Sequence, residues 1–154
     1  MHIHFVCSGN AYRSRLAEAY FKSIIQGKDF TVSSSGIEAE LDRLANGPVC
    51  WYAMRLLRKN GLVPYMSWQE HQTTPETLKD VDLLICMRPI HLDYCQKLGY
   101  TGKSEVWEIR DLNELPGFIP ASTPGIETDI RLIQLTEQTY QDIVQKVDEL
   151  AAKL

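Results

Sequence analysis

The stretch FVCSGNAYRSRLAEAYF, residues 5–21, ends an apolar run on a cysteine and begins an amphipathic pattern a few residues later. Residues 2–6 (HIHFV) are β-branched and aromatic, which is typical of a strand. Residues 15–25 carry apolar side chains at helical spacing before a glycine. The stretch therefore predicts a strand, a tight turn and a helix, with Cys7 at the carboxyl end of the strand.

The rest of the chain repeats this alternation. Strands are predicted at 30–36, 82–87 and 105–109, helices at 49–59, 73–78, 88–99 and 130–154, and a loop with three prolines at 110–126. Strands that alternate with helices favour a parallel sheet covered by helices on both faces, which binds ligands at the carboxyl ends of its strands. We therefore predict an α/β fold in one domain, residues 1–154.

Composition narrows the classes of partner. The formal charge is −4, the isoelectric point is near 5.5 and no basic run occurs, so we expect neither nucleic acid nor a membrane as partner. The four cysteines show no metal-ligand spacing, and we expect no metal or other cofactor. The N-terminus lacks a secretory pattern and no run of about 18 apolar residues occurs, so a cytoplasmic location is expected.

The turn after Cys7 has the chemistry of an anion cradle. A helix N-terminus exposes unpaired backbone N–H groups and the positive end of the helix dipole. Gly9 and Asn10 tolerate positive φ angles, which lets successive N–H groups point at one oxyanion. The predicted phosphate-binding residues are Ser8, Gly9, Asn10, Ala11, Tyr12, Arg13 and Ser14.

Three side chains of this turn suit phosphate chemistry. Arg13 carries a planar fork that holds two phosphate oxygens together. The helix N-terminus and that guanidinium favour the thiolate form of Cys7. Ser14 is expected to cap the helix and to donate to the thiolate. The Cys-x5-Arg spacing arises by accident in roughly one such chain in five, so the strand and helix around it carry the prediction.

The segment VCSGNAYRS, residues 6–14, resembles the phosphate loop of the low-molecular-weight protein tyrosine phosphatases, whose pattern is Val-Cys-x-Gly-Asn-x-Cys-Arg-Ser-Pro. Residues 32–37 (VSSSGI), 46–62 and 81–95 also resemble segments of that family. The resemblance implies a four-stranded parallel sheet, metal-free two-step hydrolysis of phosphate monoesters and a cytoplasmic location. It also implies that Cys7 is the nucleophile, Arg13 the phosphate clamp, and Asn10 and Ser14 supports of the loop.

The chain departs from the family pattern at several positions. Tyr12 replaces a frequent second loop cysteine, and Arg15 replaces the proline after Arg-Ser. The chain also has no Asp-Pro pair, whose aspartate is the general acid of the family. Asp129 and Asp111 are the candidate acids, and the family spacing slightly favours Asp129. Each is also compatible with an ordinary surface carboxylate.

The resulting prediction is a phosphatase that hydrolyses phosphotyrosine or other aryl phosphate monoesters through a phosphocysteine intermediate. Its partners are a phosphotyrosine protein or a small aryl phosphate, and inorganic phosphate is the product. Two alternatives remain. One is thiol-dependent arsenate reduction, for which Cys86 and Cys95 are the candidate resolving thiols. The other is a phosphate- or phosphoprotein-binding module that has lost catalysis together with the Asp-Pro pair.

Overall fold

The structure, a computed structural model, describes residues 1–120 and 125–154, apart from the side chains of residues 45 and 46. Four parallel strands form one sheet in the order β2-β1-β3-β4. The strands are β1 (His2–Cys7), β2 (Thr31–Gly36), β3 (Leu83–Cys86) and β4 (Lys103–Val106). The predicted α/β class and the four-stranded parallel sheet are confirmed.

Helices follow the strands along the chain. They are α1 (Arg13–Ile24), α2 (Ala39–Asn46), α3 (Trp51–Lys59), α4 (Pro75–Leu78), α5 (Pro89–Lys97) and α6 (Ile126–Ala151), with 3-10 turns at Val63–Tyr65 and Leu112–Glu114. The short helix α4 begins at Pro75, within the predicted range 73–78, because the Thr74 side chain accepts from the Thr77 N–H and Pro75 occupies the first position. No helix among the described residues is long and apolar enough to cross a membrane.

Most predicted ranges shift by one or two residues, and the structure departs further from the prediction at three places. Helix α2 was not predicted; its Leu41 and Leu44 are 71% and 86% exposed, so these apolar residues do not mark a core-facing side. Strand β4 ends before Trp107, since Glu108 has a φ of 57°, which extended backbone cannot accommodate. The described part of helix α6 begins at Ile126 rather than at residue 130.

The two faces of the sheet bury separate apolar cores. Along β1, Phe5 and Cys7 belong to the larger core, which α1, α3 and α6 cover. Val6 belongs to the smaller core and pairs in register with Cys86 of β3. Because side chains alternate along a strand, Cys7 and Cys86 point to opposite faces.

His4 is a buried polar residue of β1. Its ring nitrogens lie 2.7 Å from the hydroxyl oxygens of Ser33 and Ser35, on the neighbouring strand β2. Burial, followed by the charges of His2 and His71, lowers the pKa of His4 to about 3. The imidazole is therefore neutral in the folded protein near neutral pH, and it ties β1 to β2 below the carboxyl edge of the sheet.

Candidate active site

The loop that joins β1 to α1 crosses the carboxyl end of the sheet. Asn10 has a φ of 52°, which fits its predicted tolerance of the left-handed region. The loop lies directly against β2, since a Cβ atom on Gly36 would stand 2.4 Å from the Ser8 carbonyl oxygen and 2.6 Å from the Asn10 nitrogen. Gly36 therefore allows an approach that no larger residue permits without displacing the loop.

Asn10 is the hydrogen-bonding centre beneath this loop. It is fully buried, and its Nδ2 donates to the hydroxyls of Ser14 and Ser34 at 2.9 and 2.8 Å. Its Oδ1 accepts the backbone N–H of His71 at 2.8 Å. Ser34 in turn donates to a carboxylate oxygen of Glu18 at 2.6 Å. Asn10, with its positive φ, is thus held by three side-chain hydrogen bonds, which keep the loop in one conformation.

Cys7 lies at the floor of the loop, with 2% of its surface exposed. Its Sγ is 3.0 Å from the Ser14 Oγ. Because the Asn10 amide already donates to that hydroxyl, the hydroxyl hydrogen of Ser14 is available to the sulfur. Ser14 is the second residue of α1 and does not cap it, so the predicted capping role is wrong and the predicted contact with Cys7 is present.

Arg13 begins helix α1 and is 2% exposed. Its Nη1 donates to the Ile109 carbonyl at 2.9 Å, and its Nη2 donates to the Asp111 Oδ2 at 2.8 Å and to the Ser8 Oγ at 3.3 Å. The guanidinium is thus held at the mouth of the loop by the segment that follows β4. A bound oxyanion would compete with Asp111 for this fork.

The structure separates the two candidate acids. Asp111 lines the same cavity as Cys7, and its Oδ1 accepts the Leu112 N–H at 2.8 Å. Asp129 is an exposed residue of the first turn of α6 and is not among the described side chains that line this cavity. The geometry therefore reverses the order of the two candidates and favours Asp111.

A cavity of about 130 Å³ lies above the loop. It is lined by Cys7, Ser8, Gly9, Ala11, Tyr12, Arg13, Asp42, Cys50, Tyr52 and Asp111. A larger groove of about 790 Å³ shares Cys50, Tyr52 and Asp111 with it and continues past Trp51 and Trp68. The small cavity matches an oxyanion, and the aromatic groove can take the organic group that the oxyanion carries.

The sequence did not point to all of the lining residues. Asp42 comes from the unpredicted helix α2 and packs against Gly9, where a Cβ would lie 2.4 Å from the Asp42 Cγ. Cys50 falls within the helix predicted at 49–59, but it precedes α3 and donates its N–H to the Ala11 carbonyl at 3.1 Å. Burial, as the largest cause, raises the pKa of Cys50 to about 11. No local sequence pattern marks Asp42 or Cys50 as part of the site, because their positions depend on how the segment between β2 and α3 folds.

His91 is a further residue at this edge that the sequence did not single out. It lies on α5, is 1% exposed, and its Nε2 is 3.1 Å from the Ser8 Oγ. Its Nδ1 accepts the backbone N–H of Arg88 at 3.1 Å. Burial first, and then the charges of Arg13 and Arg88, lower the pKa of His91 to about 3. The ring is therefore neutral near neutral pH.

Arg15, at the position of the family's proline, is a buried cation. Its guanidinium donates to the carbonyls of Asn10 and Pro48 at 3.0 and 3.2 Å and also to the carbonyl of Ser67. Only 1% of the residue is exposed, and burial lowers its pKa. One guanidinium therefore connects the loop at Asn10 to two other segments of the chain, at Pro48 before α3 and at Ser67 after it.

The remaining thiols lie away from this cavity. Cys86 and Cys95 are fully buried in the smaller core. They occupy the face of the sheet opposite Cys7, as the register of β1 and β3 requires. All four cysteines are free. Among the described residues, no group of three or more potential metal ligands is assembled.

A family model described as low molecular weight phosphotyrosine protein phosphatase matches residues 2–154. The chain belongs to this family. The solved structure of the low molecular weight protein tyrosine phosphatase from T. tengcongensis superimposes with a TM-score of 0.71 at 27% identity, covering 100% of this chain and 99% of that one.

Curated relatives carry more than one activity in their names. A protein-arginine-phosphatase of Bacillus subtilis is 33% identical over 93 residues, which are 59% of this chain and 58% of that protein. An arsenate reductase 1 of Staphylococcus saprophyticus is 29% identical over 109 residues, or 71% of this chain and 76% of that protein. The chain thus spans less than two thirds of the length of the first of these relatives.

Proposed function

We propose that this protein is a cysteine-dependent phosphatase that hydrolyses aryl phosphate monoesters, including phosphotyrosine, through a phosphocysteine intermediate. The main support for the proposal is that Cys7, Arg13 and Asp111 line one cavity of oxyanion size at the N-terminus of helix α1. Family membership supports the same reaction. Residues 1–154 act as one domain in this proposal.

The first step transfers the phosphoryl group to the protein. The Cys7 thiolate attacks phosphorus in line, and the S–P bond forms as the bond between phosphorus and the ester oxygen breaks. The Ser14 hydroxyl stabilises the thiolate before attack. The Arg13 fork exchanges its contact with Asp111 for two phosphoryl oxygens. Asp111, once released from its ion pair with Arg13, takes up a proton from solvent and donates it to the leaving oxygen, so that the alcohol departs neutral.

The second step regenerates the thiolate. Asp111, now ionised, accepts a proton from a water molecule that attacks phosphorus, and the S–P bond breaks to release inorganic phosphate. No external oxidant or reductant is consumed. The aromatic groove beside the cavity, with Trp51, Tyr52 and Trp68, holds the aryl group while both steps proceed. A phosphotyrosine protein or a small aryl phosphate fits this arrangement.

A cytoplasmic location is part of the proposal. Its support is that the proposed reaction needs Cys7 as a free thiol, and Cys7 is free. Thiols remain reduced in the cytosol, whereas oxidising compartments favour disulfides. A reducing environment also preserves Cys7 for catalysis.

Arsenate reduction is the competing activity, since one relative carries that name. It requires a second thiol that reaches Cys7. Cys86 and Cys95 lie on the other face of the sheet, and Cys50, which lines the cavity, has its pKa raised to about 11. This arrangement is unfavourable for thiol relay, because the thiolate is the reactive form.

The test is hydrolysis of para-nitrophenyl phosphate, phosphotyrosine and phosphoarginine, with arsenate and thioredoxin in a parallel assay. We expect aryl phosphate hydrolysis that persists in a metal chelator. Cys7→Ser should abolish turnover and retain vanadate binding, while Arg13→Lys should lose both, since a point charge cannot replace the fork. Turnover that survives in Cys7→Ser would refute the phosphatase. Vanadate binding without turnover in the wild type would favour the binding module.

A further inference from the structure

Ser8 occupies an unusual position between the oxyanion cavity and a buried histidine. Its hydroxyl oxygen lies 3.1 Å from the His91 Nε2 and 3.3 Å from the Arg13 Nη2. Ser8 lines both the cavity that contains Cys7 and an adjoining cavity of about 220 Å³ that contains His91 and Asp111. The residue follows the candidate nucleophile directly in the chain.

The backbone of α5 fixes which nitrogen of His91 carries the hydrogen. The Arg88 N–H points at Nδ1 from 3.1 Å, so Nδ1 must be an unprotonated acceptor. In a neutral ring the hydrogen then sits on Nε2, which faces the Ser8 Oγ. The lowered pKa of His91 agrees with this neutral form. His91 is therefore a donor to Ser8 and not an acceptor from it.

Because His91 is a donor, it determines where the Ser8 hydroxyl hydrogen points. The oxygen accepts one hydrogen bond from His91 and a second from the Arg13 guanidinium, which always carries its hydrogens. Both lone pairs are then occupied. Among the described residues no hydrogen-bond acceptor for the hydroxyl hydrogen is present, so the hydrogen is left for a group in the cavity.

We propose that His91 is a positioning residue that fixes the Ser8 hydroxyl as a donor to an oxygen of the bound phosphoryl group. This inference rests on the proposed function for its role in turnover, but binding of an oxyanion tests it without turnover. The acceptor is a phosphoryl oxygen next to the Arg13 guanidinium, because the Arg13 Nη2 already donates to the Ser8 hydroxyl oxygen. His91 itself does not touch the substrate.

Affinity for vanadate measures the contact directly. A hydrogen bond to a charged group contributes about 1.5–3 kcal/mol, so Ser8→Ala should weaken vanadate binding roughly 10- to 100-fold. Ser33→Ala is the matched control, since it also removes a serine hydroxyl bonded to a histidine ring, on β2 and outside the cavity. We expect vanadate affinity within about twofold of wild type for this control.

Two substitutions of His91 separate positioning from simple packing. An asparagine amide reaches the place of Nδ1 and keeps the acceptor for the Arg88 N–H, whereas a glutamine amide reaches the place of Nε2 and keeps the donor to Ser8. We therefore expect His91→Asn to weaken vanadate binding about as much as Ser8→Ala, and His91→Gln to restore most of the affinity. In a Ser8→Ala background, His91→Asn should have no further effect, because the two residues act through one hydrogen bond.

Thermal unfolding of each variant and the nitrogen chemical shifts of the His91 ring complete the test. A protonated Nε2 in the free protein supports the inference; a protonated Nδ1 overturns it. Additive losses in the double variant, or a Ser8→Ala affinity equal to that of wild type, also overturn it. If the wild type binds vanadate through Ser8 but hydrolyses no ester, the proposed function fails and this inference stands. If hydrolysis is normal and Ser8→Ala changes nothing, only this inference fails.

Discussion

Replacement of Asp111 by asparagine tests whether this carboxyl group is the general acid. Asparagine has nearly the same size and keeps the oxygen that accepts the Leu112 N–H at 2.8 Å. The Asp111 side chain is 39% exposed, and an ion pair at such a position contributes about 0–1 kcal/mol to stability. The variant should therefore remain folded and lose mainly the transferable proton.

The size of the effect depends on the leaving group. A positioned general acid contributes about 10²–10⁴ in rate when the leaving oxygen needs a proton, as tyrosine does with a pKa near 10. Asp111→Asn should therefore lower kcat for phosphotyrosine by about 10² or more, equivalent to about 2.7 kcal/mol of transition-state stabilisation. Para-nitrophenol leaves as a stable anion, so that substrate should lose less than about 10-fold.

The assay is steady-state kcat over a series of aryl phosphates, plotted against the pKa of the leaving alcohol. We expect a steeper dependence in Asp111→Asn than in wild type. Asp129→Asn is the matched control, because it removes an exposed aspartate from the first turn of α6. Asp111 is not the general acid if Asp129→Asn steepens the dependence and Asp111→Asn leaves it unchanged.

Three further outcomes follow from buried groups. His4 and His91 have pKa values of about 3 in the folded protein, against 6.5 in the unfolded chain. The unfolded chain therefore binds more protons than the folded protein below about pH 6.5. As a result, the free energy of unfolding should fall by about 2–4 kcal/mol between about pH 7 and pH 5. Urea titrations measure this, and an equal stability at both pH values would contradict it. Arg15→Met should lower the free energy of unfolding by about 3 kcal/mol, since it leaves buried carbonyls unpaired, and an unchanged urea midpoint would show that the guanidinium is dispensable. Peroxide should inactivate Cys7 in a way that dithiothreitol reverses poorly, because the thiol of Cys50 is held protonated; a Cys7–Cys50 disulfide found by mass spectrometry would rule this out.

The strand, loop and first helix could be predicted from sequence because their signals are local. Residues 2–7 and 13–24 carry their own periodicity, and Asn10 marks the turn between them. The positions of Asp42 and Asp111 could not be predicted this way. Asp42 lies on a helix whose leucines face solvent, and Asp111 reaches Arg13 because the chain leaves β4 through the positive φ of Glu108.

Contacts between distant segments account for the other omissions. His91 and Ser8 are 83 positions apart and meet only because β1 and β3 are neighbours in the sheet. Counting residues along the chain favoured Asp129 over Asp111, because a count carries no information on how the segment after β4 folds back to Arg13. Pairing across the sheet, rather than local propensity, completes the site.

The proposed reaction requires Cys7 to carry the phosphoryl group during turnover. The most direct measurement is a rapid acid quench of wild-type protein mixed with para-nitrophenyl phosphate, followed by digestion and mass spectrometry of the peptide that contains Cys7. We expect one phosphoryl group on Cys7, with more of it trapped in Asp111→Asn because water activation in the second step is slowed. Sustained hydrolysis with no phosphoryl group on Cys7 at any quench time would rule out a phosphocysteine intermediate.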